Sequence, residues 1–197
     1  MTSEIKKNLD DAINSFRDIA ILLENKIVEN SERQILLMTY FDICMEHIQS
    51  IHLLIGHKLF ASAFALVRPF YETYYRALWM LKFASDDEIE NIKNNKFQFP
   101  NMGSKIKELD TVYTGTDFFE KLKDNAWNAM CDYAHSGTLQ LSRRWTNDEL
   151  APNYDKDEVI EVLKGTRVIL LMFTFTVLKE NAYMDDADKI NSLIIGE

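Results

Sequence analysis

Apolar residues recur along most of this chain at steps of three and four, the period of helices with one buried face. Leu9, Ile13, Phe16, Ile19, Ile21 and Leu23 predict a first helix from about Ser3 to Glu29, with Ser3 as its N-cap. Asn30 and Ser31 read as a stop followed by a new cap, with Gln34 in the capping-box position three residues on. A second helix follows to about His57, carrying Leu36, Tyr40, Ile43, His47, Ile51 and Leu54 on one side. Gly56-His57-Lys58 is a short turn. A third helix, about Phe60 to Ala84, is crowded with aromatics, among them Phe64, Phe70, Tyr71, Tyr74, Tyr75 and Trp79.

Beyond it the pattern shortens. Ser85 caps a brief helix to about Lys96, and Phe97 to Met102 reads as a loop. Ser104–Val112 and Asp117–Ala134 are predicted helices, Trp145 to Asp157 a second loop, and about Lys156 to Tyr183 a long final helix. The loops do not divide the chain into two self-sufficient cores, and no internal repeat is visible. The expectation is therefore all-α, a single-domain bundle of long helices over residues 1–197.

Composition agrees with that pattern. Six Gly and three Pro in 197 residues leave too little punctuation for an all-β chain of this size. Apolar residues make up 47% and charged residues 27%, the balance of a chain with a real core. The net charge of −9 argues against a broad phosphate-tracking surface, though charge is local and a small basic pocket remains compatible with it. The first ten residues have no secretory apolar stretch. The longest uncharged run in the C-terminal half, Val168 to Leu178, is far short of the roughly 20 residues that span a bilayer. A cytoplasmic protein with no membrane span is the expectation. Cys44 and Cys131 match neither a disulfide framework nor a zinc motif, and His47, His52 and His57, spaced by five, do not share a helical face. Neither a metal nor a cofactor is expected.

Two features change the picture. Arg68, Glu72 and Arg76 are spaced by four on a helix apolar nearly all round, so Glu72 can meet both guanidinium groups. A helix of that kind is central, and its charges must then be paired. Pro69 either interrupts the helix hydrogen bonds there or opens a new helix as its first residue. The ladder is either a network holding helices in register or a ligand site. The second feature is Asp132-Tyr133-Ala134-His135-Ser136-Gly137. Asp132 stands three residues before His135 and can orient its ring, Gly137 suits a left-handed helix cap, and a histidine at a helix end is accessible for acid–base work. Arg143 and Arg144 follow. Polar groups in apolar surroundings find each other, so His135 is predicted to lie within about 10 Å of Arg76 or Glu72.

Together, Val67-Arg-Pro-Phe-Tyr-Glu72 with Arg76-Ala-Leu-Trp79, and the later Asp132 to Gly137, resemble bacterial helical proteins with an Arg-Pro-x-x-Glu helix and a downstream Tyr-x-His. More distantly the layout is similar to the HEPN superfamily, helical bundles common in toxin–antitoxin and anti-phage systems, many of them metal-independent ribonucleases. That resemblance, over about residues 60 to 145, implies RNA or a nucleotide as ligand, an antitoxin or defence-system partner, and a homodimer. It implies His135 as acid–base, Asp132 behind it and Arg76 or Arg143 as the cation, with Arg68, Glu72, Tyr133, Arg143 and Arg144 as ligand contacts. One departure stands out. The superfamily's arginine four to six residues before the histidine is absent, those positions being Ala129, Met130 and Cys131. The competing reading is a non-catalytic interaction module with an architectural Arg/Glu network.

Overall fold

The computed structural model describes residues 1–113, 117–146 and 149–195, and in them the all-α expectation holds. Thr2, one residue earlier than the sequence pattern indicates, caps α1 (Ser3–Leu23) by accepting from the Ile5 amide. This helix stops well short of Glu29. Asn25 turns the chain with φ 63°, and the stretch after it is held by residues 181–183, toward the C-terminal side of the chain. There the Ile27 amide donates to the Tyr183 hydroxyl, which donates in turn to the Ile27 carbonyl, and the Glu29 amide donates to Asn181. Those bonds replace the ones a continued helix would have made.

Ser31 caps α2 (Glu32–Gly56), as the sequence predicts. α3 (Phe60–Phe83) runs unbroken through Pro69, so of the two options for that proline the continuous helix is correct. The capping box of Ser85 and Glu88 starts α4 (Asp86–Lys93). Then come α5 (Met102–Tyr113), α6 (Phe118–Ala134) and a one-turn helix that the apolar pattern does not reveal, α7 (Thr138–Ser142). Trp145–Thr146 (β1) pairs antiparallel with Glu149–Leu150 (β2) in the predicted loop. Asp155 and Glu158 form a second capping box at the start of α8 (Lys156–Glu180). Its expected end at Tyr183 is corrected by Asn181 as C-cap and by Ala182 at φ 61°, after which α9 (Met184–Ile195) folds back, burying Ala187 and Ile190.

α3 is the axis of the bundle. It packs against α2 along its length, and against α5, α6 and α8. Phe70, Tyr75, Ala77, Leu78 and Met80 have no exposed surface, and they join buried residues from α1 to α9 in one core. A helix buried on so many sides explains why its few polar side chains matter. Among the described residues, no helix is long and apolar enough to cross a membrane.

Candidate functional site

The spacing of four along α3 produces the ladder that the sequence predicts. Arg68 donates through Nε to Glu72 Oε1 at 2.8 Å, and Arg76 Nη2 donates to Glu72 Oε2 at 3.3 Å. The three side chains are 24%, 19% and 39% exposed in chain order, so this network is neither sealed nor fully solvated. Each guanidinium also lies over a ring: Arg68 over Trp127 of α6, at 5.3 Å from its centroid, and Arg76 over Phe99, at 5.1 Å. Contacts of that kind favour a weakly hydrated, planar cation.

His135 meets the ladder at its first rung. Its Nε2 lies 2.5 Å from Arg68 Nη1. A guanidinium has only donors, so Nε2 is the accepting nitrogen and the ring proton is on Nδ1. The predicted proximity to Glu72 follows, since one guanidinium separates the two. The contacting cation is Arg68 and not Arg76, which sits two turns further along α3. His135 is exposed, as the C-cap of α6.

Local backbone geometry corrects two expectations. The left-handed residue ending α6 is Ser136, at φ 55°, whereas Gly137 is extended. Glycine serves at 137 for a different reason: a Cβ there would stand 2.3 Å from Asp132 Oδ2. Asp132 does not steer the His135 ring either. Its Oδ1 accepts from the Gln140 amide at 2.9 Å, and its carbonyl accepts from the Gly137 amide, so it holds the α6–α7 corner. Gln140 in turn donates to the Ala61 carbonyl, which ties that corner to the start of α3. Asp132 thus positions the segment that carries His135 through backbone bonds.

The remaining sequence candidates lie elsewhere. Arg143 makes a two-point ion pair with Glu158 of α8, which pushes its pKa further up. Tyr133 is buried against Phe64, 4.8 Å between ring centroids, and its burial and Glu158 raise the phenol against the pull of Arg143. The Arg143 guanidinium lies beside that hydroxyl without the geometry of a hydrogen bond. Arg144 is exposed. The structure therefore brings together Arg68, Glu72, Arg76 and His135, and separates Tyr133 and Arg143 into a cluster of their own.

Sequence reasoning missed a second cation packed against the same helix. Lys105 of α5 has no exposed surface, and its Nζ stands 2.9 Å from the centre of the Trp79 ring and 5.1 Å from Phe99. It has no hydrogen-bond acceptor. The indole N–H donates to Glu108 Oε2 at 2.8 Å, so a carboxylate sits at the ring's edge. Burial pulls the lysine down to about 8, with Arg76 acting the same way and Glu108 and Glu88 opposing. The signal in the sequence was thin, a Lys-x-x-Glu step in a helix with Ile106 and Leu109. Trp127, too, carried no mark beyond being aromatic.

Among the described residues, no three His, Cys, Asp or Glu side chains cluster as metal ligands do. His52 is buried, its pKa lowered by burial to about 4, and His47 is lowered by the same cause. What the site offers is an open guanidinium, oriented from behind by a carboxylate and in contact with a neutral imidazole. Such a group can bind an oxyanion in two-point fashion and place a proton acceptor beside it.

No curated protein and no solved structure matches this chain. A family model does, across residues 41–193, from the middle of α2 to the end of α9 and including every ladder residue and His135. The chain thus belongs to DUF6988, a family of unknown function.

Proposed function

We propose that the Arg68–His135 pair binds a phosphate group of RNA or a nucleotide and, with RNA, cleaves it without a metal. The observation carrying this reading is the shared guanidinium: Glu72 fixes its Nε side, and Nη1 faces His135 at the exposed end of α6. A phosphate oxygen is a better acceptor for that N–H than a neutral imidazole. Its arrival takes Nη1 and frees His135 Nε2. The freed nitrogen accepts the proton of the ribose 2′-hydroxyl, the 2′-oxygen attacks phosphorus, and the P–O5′ bond breaks. Solvent or the returned His135 proton completes the leaving 5′-hydroxyl, while Arg68 balances the charge on the phosphorane oxygens. Trp127, beneath Arg68, holds the guanidinium in place for the phosphate. Arg68 fills the role of the arginine missing upstream of His135, from a different helix. The HEPN resemblance supports a toxin or phage-defence setting, with an antitoxin-like partner.

The test is cleavage and binding of a labelled RNA oligonucleotide in the presence of EDTA. His135→Ala should lower cleavage by about 100-fold or more, the usual share of acid–base catalysis, with RNA binding kept. Arg68→Ala should weaken binding itself. Cleavage that survives His135→Ala, or that vanishes with EDTA, defeats the metal-free mechanism.

A second reading has its own observation. α2 leaves Ile35, Ile43 and Leu53 at 51%, 39% and 59% exposure, apolar surface suited to a second copy or a partner helix. Under it the ladder is architectural. A chain that is dimeric, that falls to a monomer with Leu53→Glu, and that neither binds nor cleaves RNA is this interaction module and not the enzyme.

A further inference from the structure

Behind α6, on the side away from the ladder, lies a cleft of about 310 Å³ floored by Phe64, Val67 and Tyr71 of α3. It exists because α6 packs on α3, α5 and α7, whereas α8 packs on α1, α2, α3 and α9. Three of the residues that line it are small, Ala126 and Ala129 on α6 and Gly165 on α8, beside the larger Leu122, Met130 and Val162. Gly165 keeps the floor open. A Cβ there would stand 3.0 Å from the Tyr71 hydroxyl, closer than a comfortable contact. The cleft continues into a neighbouring hollow that shares Tyr71, Leu122, Glu161 and Gly165 with it.

Its polar groups are few: the phenols of Tyr71 and Tyr133, the carboxylates of Glu158 and Glu161, and the Asn125 amide. Tyr71 and Tyr133 are each 6% exposed, and the Tyr133 hydroxyl has no hydrogen-bond partner. Glu158 and Glu161 of α8 supply carboxylates at the wall. Glu158 is neutralised by Arg143, but Glu161 has no ion pair among the described residues. Burial, then the nearby Glu161, pushes the Tyr71 phenol up to about 12, so it stays a neutral hydroxyl beside that carboxylate. An apolar volume of this size, with converging phenols and one unpaired carboxylate, has the make-up of a small-molecule site.

We propose that this cleft binds a small hydrophobic amine: a single ring or short branched chain carrying one ammonium group. The apolar body lies on Phe64, Val67, Met130 and Leu139, and the ammonium donates to Glu161 and to the Tyr71 oxygen. An anion is repelled by Glu161, and a neutral alcohol leaves the carboxylate without its cation. Occupancy would bear on the other face of α6 as well, because Tyr133 in the cleft wall is two residues from His135. Ligand binding here does not depend on any activity of the Arg68–His135 pair.

The experiment is a titration of the full-length ¹⁵N-labelled protein, followed by two-dimensional NMR, with three shape-matched probes: 2-phenylethylamine, 2-phenylethanol and 3-phenylpropionate. The amine should shift the amides of Ala126, Ala129 and Gly165 saturably. It should bind at least about tenfold more tightly than the alcohol, the size of one charge-assisted hydrogen bond, with no saturable shift from the carboxylate. Glu161→Gln, a conservative change at an exposed position, should bring the amine down to the affinity of the alcohol. Ala129→Leu should weaken both by filling the cleft, and the rest of its spectrum reports whether the fold is kept. Equal affinity for amine and alcohol overturns the proposal. So does the absence of saturable shifts at these three amides with every probe, which would leave the cleft a packing gap between two helices.

Discussion

Arg68 and Lys105 each press a cationic head group on an indole ring, Trp127 and Trp79 respectively, and the resemblance ends there. Arg68 is partly exposed and has a carboxylate on one edge and an imidazole on the other. Lys105 is sealed, and in place of a hydrogen-bonded acceptor it has only the Trp79 and Phe99 rings and the more distant charges of Glu108 and Glu88. Guanidinium is weakly hydrated and presents donors along several edges, so it can hold Glu72 and still offer Nη1 to something new. An ammonium is strongly hydrated, and burying it without acceptors disfavours the charged form. The open cluster is therefore suited to exchanging partners with a ligand. The closed one fixes α5 on α3 and keeps its cation from doing so.

The largest expected effect tests the closed cluster. Lys105→Met replaces a buried, unpaired ammonium with an apolar chain of similar length. It should stabilise the protein by about 1–3 kcal/mol at pH 7, measured by urea titration. The pH dependence follows the sign of the shift. The folded pKa, about 8, is below the 10.5 of a free lysine, so between those values the unfolded chain binds more protons. Wild-type stability should then rise as pH increases from about 8, by up to about 3 kcal/mol before tyrosine ionisation intervenes near pH 10. Tyr71 and Tyr75, both raised by burial, reverse the trend above that point. The Met variant should lack the rise. A loss of stability in Lys105→Met would mean that the ring and Glu108 more than offset the burial, and the contrast with Arg68 would collapse.

A smaller effect tests the open cluster. Glu72→Ala leaves Arg68 and Arg76 without their shared carboxylate. Had all three been sealed, the loss would be about 3–5 kcal/mol, and in bulk water under about 1. With Glu72 at 19% exposure and the arginines at 24% and 39%, we expect about 1–2 kcal/mol. Glu72→Gln should recover part of it, since the amide oxygen still accepts from Arg68. A loss above about 3 kcal/mol would place this network with the sealed kind and favour the architectural reading.

The difference between the two clusters also marks what the sequence made legible. The ladder was visible because a step of four on a helix is a geometric statement, and both ion pairs form as that spacing requires. The approach of His135 was visible only as an accounting of polar groups, and its partner was misread. Which turn of α3 receives the end of α6 is set by contacts such as Phe64 on Tyr133, which no local pattern encodes. Asp132 was misread because a step of three presumes a continuing helix, and α6 ends at Ala134. The carboxylate then went to the next backbone amide in need of an acceptor. Lys105 was invisible for the opposite reason: a lone lysine in a short helix is almost always solvated, and only the fold of α5 against Trp79 buries it. The bundle itself was largely readable, apart from α7, α9 and the early end of α1. The early end of α1 is decided by a long-range contact, Tyr183 on Ile27, whereas α7 and α9 follow turns at Ser136 and Ala182 that the apolar pattern does not mark.

The smallest effect on stability belongs to the residue with the largest proposed effect on activity. His135 is exposed, and its one side-chain partner, Arg68, keeps Glu72 and the Trp127 face when the imidazole is removed. The cap of α6 rests on backbone bonds, the His135 amide to the Cys131 carbonyl and the Gly137 amide to the Asp132 carbonyl, which alanine preserves. His135→Ala should therefore change stability by no more than about 0.5 kcal/mol, as changes at exposed side chains that carry no capping bond do. Asp132→Ala should cost more, because the Gln140 amide loses its acceptor and the corner that carries His135 loosens. If the order is reversed, with His135→Ala the more damaging in a urea titration, then His135 is part of the architecture and Arg68 is not free to exchange it for a ligand. The open cluster would then be closed in all but exposure, and the chemical case for the Arg68–His135 pair would fail with it.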